Sequence, residues 1–293
     1  MDPIWQILVN GVGLGAVYGL VAVGIQLIIG VSGVPNFANG QFYMLGGYVL
    51  FLILGFVGIG YFPSLFLCIL ILAGIGAIAE RISIRPLMER PRSAGLISTL
   101  ALGMFIEGLI LILFTAEPKT INTPYSGIIL SIGDVSLSVQ RIIMAVGGVG
   151  AFVLADFFVR KTKVGKGLRA MSQNKQACRI FGIDIFKMSR IAFMLGVALA
   201  AFAAGLVVPL FALSPFMGSF IIFKAFAVVI IAGIGEIRGV MFAALLVGLT
   251  ESLASFYIDP LFRDVTAFLF MICVLLIRPQ GIFGEKSDLL FAK

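Results

Sequence analysis

Three ionisable side chains stand inside or beside long apolar runs: Glu107 in MFIEGLILILF, Lys224 at the start of FKAFAVVIIAG, and Glu251 in VGLTESLASF. A charge at the middle of a bilayer costs roughly 2.5 to 3.5 kcal/mol on insertion scales. Such residues therefore face a bundle interior or a water-filled path, or pair with one another. Glu107 is expected to lie deepest, as a gating or translocation residue, as a neutral acid, or as a buried partner of Lys224. Lys224 and Glu251 stand nearer the ends of their runs, where side chains can snorkel to the interface.

A second set of polar groups sits between two apolar runs, in VPNFANGQFYMLGGY, residues 34–48. Pro35 stops the preceding helix and Gly40 permits a turn. Irregular backbone at membrane depth persists only where protein or a water-filled cavity surrounds it. The stretch reads as a helix break that offers Asn36, Asn39 and Gln41 as uncharged donors and acceptors, with Phe37 and Tyr43 beside them. The alternative is a cytoplasmic turn whose amides cap the helices. IIAGIGEIRGV, residues 230–240, is a second glycine-punctuated interruption, and broken helices in both halves of a chain are a transporter pattern.

The elements that position these groups are membrane spans. Of 293 residues 60% are hydrophobic and 12% charged, and the mean hydropathy is +1.14, far from the balance of a soluble domain. One polytopic domain over residues 1–293 is expected, an all-α helical bundle of about 8–9 transmembrane helices. Clear spans are Ile7–Ile29, Phe42–Val57, Tyr61–Ala79, Leu96–Phe114, Ile142–Phe158, Ile191–Leu213 and Val240–Phe256, long enough to cross a bilayer. Ile221–Ile234 and Val265–Ile277 are short, either tilted or re-entrant. The N-terminal residues hold Asp2 and no Lys or Arg, so the first run reads as a retained span rather than a cleaved signal. Gly11, Gly15 and Gly19 recur every fourth residue and offer a smooth ridge to another helix.

The chain has no His, and Cys68, Cys178 and Cys273 show no CxxC spacing. A His-based triad, a zinc site and a disulfide scaffold are not expected, and neither is an enzyme. The net charge of +7 is a topology signal rather than a nucleic-acid footprint. Residues 158–190 carry nine basic side chains against Asp184 alone, the mark of a cytoplasmic loop. The arginines of residues 80–92 and the tail after Arg278 agree, whereas residues 115–140 read as external. An odd number of crossings follows, with the N-terminus outside and the C-terminus inside; eight crossings remain an alternative.

Five segments in order carry a resemblance to a known family: GVSGVPNFANGQFYMLGGY, ERISIRPLMERPRSAGLISTLALGMFIEG, VGKGLRAMSQNKQACRIFGID, FKAFAVVIIAGIGEIRGVMFAALLVGLTES and LLIRPQGIFG. The chain resembles the permeases of branched-chain amino acid ABC importers, closest to the LivH-type of the two permease subunits. The resemblance implies an inner-membrane pore subunit working by alternating access. It also implies a second permease subunit, two ATP-binding subunits that hold ATP and magnesium, and an extracytoplasmic solute-binding protein. VGKGL lacks the length and the Ser or Thr of a phosphate-binding loop, so no cofactor is expected on this chain. The basic loop, residues 159–190, resembles the segment that couples to the ATPase, through Gly165, Gly167, Arg169, Ala170, Asn174, Ala177, Gly182 and Ile183; a loop facing anionic lipid is the plain alternative. Asn39 and Gln41 stand where many relatives carry His and Glu, which leaves the solute open among branched-chain and other hydrophobic amino acids, urea and short amides. A proton-coupled secondary transporter using Glu107 is the other mechanism the residues allow.

Overall fold

The computed structural model describes residues 4–284 apart from 89, 133–134, 234, 236 and 260–261. Asp2, Glu236 in the second interruption and the end of the basic tail lie outside the described residues. The described helices are α1 Ile4–Ser32, α2 Asn39–Phe56, α3 Tyr61–Ala79, α4 Arg92–Phe114, α5 Val139–Lys161, α6 Lys163–Gln173, α7 Lys175–Ile180, α8 Ile185–Val207, α9 Met217–Ala232, α10 Ile237–Tyr257 and α11 Arg263–Ile277. A π-helical turn, Glu80–Ile84, and a 3-10 turn, Arg85–Leu87, extend α3. The architecture is an all-α polytopic bundle. One small hairpin, β1 Ile129–Ile132 with β2 Val135–Ser138, pairs Ile129 with Ser138 in the segment read as external.

Among the described residues, seven helices are long and apolar enough to cross a membrane, each matching one of the clear spans. Helices α9 and α11 stay short, with 16 and 15 residues. At 1.5 Å per residue each reaches only about 22–24 Å, against about 30 Å of hydrocarbon.

Helix α1 is apolar on every face, so it is stable only when surrounded. It packs most extensively on α10, α8, α5 and α9. The glycine ridge meets α10: a Cβ on Gly15 would lie 2.7 Å from the Ala244 carbonyl oxygen, and one on Gly11 2.9 Å from Leu249 Cα. Gly24 meets Gly196 of α8 in the same way. In contrast, α4 leaves Met104, Phe105 and Ile112 exposed at the edge of the bundle, where lipid or another protein can cover them.

The contacts along α1 define two ends. Near its start, the Ser252 hydroxyl donates to the Ile7 carbonyl and Arg141 donates to Asn10, close to the hairpin. Near its finish, Gly30 lies against Ser172 of α6 and Gln26 donates to the Gly233 carbonyl at 3.4 Å. The tail comes back to that second end. Ile282 and Phe283 donate backbone N–H groups to Ile231 and Ala232 at 2.7 and 3.0 Å, satisfying the last carbonyls of α9. Gly281 at φ +85° and Gly233 at φ +94° permit that contact; a Cβ on Gly281 would lie 2.6 Å from the Gly233 nitrogen.

Candidate functional site

Lys224 and Glu251 do not snorkel. They form an ion pair of 2.9 Å between Lys224 Nζ and Glu251 Oε1, with side chains 8% and 0% exposed. Tyr18, in the middle of α1, completes the cluster: its hydroxyl donates to Glu251 Oε2 at 2.7 Å and accepts from Lys224 Nζ at 3.2 Å. The ammonium also stands 5.2 Å from the centre of the Tyr18 ring. Three central helices, α1, α9 and α10, are tied by one charged cluster. Its members come from sites where the local sequence is otherwise small or apolar, GAVYG, FKAF and LTES, so burial follows from helix packing rather than from position along each run.

A cavity of about 280 Å³ opens beside this cluster. Leu14 and Val17 of α1, Tyr43 of α2, Val207 at the end of α8 and Met217 and Ile221 of α9 line it together with Tyr18 and Lys224. It lies toward the hairpin end, where Leu213 exchanges backbone hydrogen bonds of 2.8 and 2.9 Å with Lys119.

Glu107 is neither the deepest acid nor the partner of Lys224. It is half-buried, and its Oε2 accepts from Gln41 Nε2 at 2.8 Å and from the Ser219 hydroxyl at 3.2 Å. Gln41 Nε2 also reaches Ser219 Oγ at 3.1 Å. A second polar cluster thus joins α2, α4 and α9. It forms because α2 and α9 begin back to back inside the bundle. Gly40 and Gly218 touch there: a Cβ on Gly218 would stand 2.6 Å from the Gly40 carbonyl oxygen.

The opening stretch is an interior turn, and no side chain caps the start of α2. Gly33, at φ +76°, ends α1 and accepts no side chain without strain. Asn36 is fully buried, and its Oδ1 accepts from the Ala38 amide at 3.1 Å, a local turn of the kind asparagine supports. Asn39 reaches into α1, donating to the Val21 carbonyl at 3.3 Å. The Phe37 ring packs against Phe226, with centroids 4.7 Å apart and the planes tilted by 33°. Asn36 Nδ2 and Asn39 Oδ1 are buried without a hydrogen-bond partner among the described residues. The break is interior, and one of its amides has the structural job of holding the turn.

The basic segment forms α6 and α7. Each start is capped by a side chain: Thr162 Oγ1 accepts from the Gly165 amide at 3.0 Å and Asn174 Oδ1 from Ala177 at 2.9 Å. Gly165 packs directly on the last carbonyls of α5, and Gly167 lies against Met188. Arg169 donates to the Arg160 carbonyl at 3.2 Å, a cation at the C-terminal end of α5. Leu168 and Met171 are buried against the bundle, whereas Ile180 and Phe181, 84% and 82% exposed, project at the end of α7. Gly182, at φ +75°, turns the chain so that Ile183 donates to the Cys178 carbonyl at 2.9 Å. Ala170, Ala177 and Ile183 are half-buried.

Residues 7–275 match the family model described as branched-chain amino acid transport system / permease component. The chain belongs to that permease family. The permease is 30% identical to the high-affinity branched-chain amino acid transport system permease protein BraD of Pseudomonas aeruginosa, with 96% of each chain covered. It is also 30% identical to the permease protein LivH of Salmonella typhimurium, again over 96% of both. A probable branched-chain amino acid transport permease of Methanocaldococcus jannaschii is 29% identical over 90% of this chain and 88% of that one.

Several residues of the permease's polar interior were not singled out from its sequence. Tyr18 stands among ridge glycines, and Gln26 is an amide in the apolar run VGIQLIIG; a lone polar residue in such a run is the signal that finds both. Ser219 and the exposed pair Ile180–Phe181 carry no comparable signal. Glu80 is fully buried in the π-helical turn, where Ser189 of α8 and the guanidinium groups of Arg190 and Arg85 face its carboxylate. It opens ERISIRPL, where arginines dominate the charge pattern.

Proposed function

We propose that the permease is one of two pore subunits of an ATP-driven importer for branched-chain or similar hydrophobic amino acids, set in the cytoplasmic membrane. The observation that carries this reading is the unbroken family match over residues 7–275, shared with relatives named as high-affinity branched-chain amino acid permeases. A second permease, two ATP-binding subunits with their ATP and magnesium, and an extracytoplasmic solute-binding protein complete the assembly. The chain supplies path and lever: solute enters from the hairpin end, and α6 and α7 with Ile180 and Phe181 take the push of the ATPases. Alternating access then asks helices α2 and α9, whose first turns touch at Gly40 and Gly218, to shift relative to α1. No covalent bond is made or broken on this chain.

The test is mild-detergent purification of the tagged chain from its own membrane, with mass spectrometry of what accompanies it and leucine uptake in liposomes. The expected result is recovery of P-loop ATPases and a second permease, with uptake that requires ATP. Recovery of the chain alone, taking up leucine on a proton gradient, overturns the reading in favour of a secondary transporter.

A further inference from the structure

The cavity beside the Tyr18–Lys224–Glu251 cluster has an apolar wall with one cation in it. Its volume of about 280 Å³ lies just below the range for drug-sized ligand sites, about 300–1,000 Å³. Leu14, Val17, Met217 and Ile221, with the rings of Phe211 and Phe220, make that wall largely apolar, and Lys224 brings a cation to it. Glu251 is fully buried and is not among the lining residues. The charge presented at the cavity is therefore positive, although the pair as a whole is neutral.

We propose that this cavity binds a small apolar carboxylate, with the carboxylate facing Lys224 and an aliphatic body against Leu14, Val17, Met217 and Ile221. The proposal rests on the permease reading and gives it a solute position. An ammonium inside a membrane protein needs a fixed anion to stay charged, and Glu251 provides one whether or not a solute is present. Tyr18, accepting from Nζ and donating to Glu251, fixes the direction of the pair, so the incoming carboxylate meets an oriented donor. Glu251 and Tyr18 are positioning residues. Urea and neutral amides offer Lys224 a carbonyl acceptor but no opposite charge, so they gain less from the ammonium than a carboxylate does. The first turn of α9, at Met217, lies at the same wall and adds the positive end of a helix to the field there.

The experiment reads occupancy without transport. Met217→Cys is placed in a chain whose three natural cysteines are replaced by Ser, and the assembled complex is labelled with a maleimide. Labelling is expected to slow at least fivefold with saturating leucine or isovalerate and to stay unchanged with leucinamide or urea. Lys224→Arg keeps the protection, and Lys224→Met abolishes it. If Lys224→Met does not assemble, Lys224→Met with Glu251→Gln removes both charges and serves instead. Equal protection by leucine and leucinamide, protection that survives loss of Lys224, or no protection at all overturns the site. ATP-driven leucine uptake by the unaltered complex is measured in parallel. Uptake without protection removes the site and leaves the importer reading, whereas protection without uptake does the reverse.

Discussion

The Lys224–Glu251 pair shows how a membrane interior keeps charge. Each group alone would be an unpaired ion among α1, α9 and α10, whereas together, with Tyr18 filling remaining hydrogen-bond positions, they form a neutral unit. Removing one member of a buried pair typically costs about 3–5 kcal/mol, because its partner is stranded; removing both often costs little. Glu251→Gln or Lys224→Met alone should therefore lower the thermal unfolding midpoint of the purified permease markedly, while the double variant should recover most of the loss. The measurement is a double-mutant cycle by thermal unfolding in one detergent. Additive losses would mean that the two side chains do not stabilise one another. The pairing was only partly legible in the sequence. Hydropathy marks each charge as out of place, but it cannot say which helix faces which, and distance from the end of a run suggested snorkelling. Glu107, the most conspicuous charge by that measure, is instead a half-buried acceptor for Gln41 and Ser219.

At the scale of elements, local sequence and structure agree closely. Seven spans could be read because each is a long apolar run, and the short runs stayed short because Gly and Pro bound them. The every-fourth-residue glycines of α1 announced a close helix contact, and α10 supplies its half of the seam at Gly248. What could not be read was partnership over long separations. The tail segment RPQGIFG closes the break after α9 by backbone hydrogen bonds from Ile282 and Phe283, and backbone pairing leaves no side-chain pattern. The same holds for α2 and α9 beginning back to back. A side chain on Gly248 would run into the α1 backbone at Gly11 and Gly15. Gly248→Val should cost about 1–3 kcal/mol as overpacking of a tight core. Gly150→Val is the matched control, since a Cβ there meets nothing within 4 Å. Equal unfolding midpoints for the two variants would show that the α1–α10 seam yields easily.

At the scale of the whole molecule, geometry brings together the segments that charge alone had assigned to one side. The arginines after α3 meet the start of α8, where Arg85 lies 4.6 Å over the Phe186 ring. Helix α6 lies against Gly30 at the finish of α1, and the tail at Gly281–Phe283 returns beside Gln26 and Gly233. The hairpin, Arg141 and the start of α1 occupy the other end. Basic residues next to spans are retained on the cytoplasmic side; on that rule we propose that this end of the bundle faces the cytoplasm as a unit and that the cavity near the hairpin faces outward. That orientation has a direct test in cells, using a chain in which Cys68, Cys178 and Cys273 are replaced by Ser. Gly127→Cys, in the loop before the hairpin, should react with a membrane-impermeant maleimide in intact cells. Ser172→Cys, exposed on α6, should react only after the membrane is opened. The opposite pattern would invert the molecule, put the exposed Ile180–Phe181 pair outside the cell, and remove the physical basis for reading α6 and α7 as the segment that meets an ATPase.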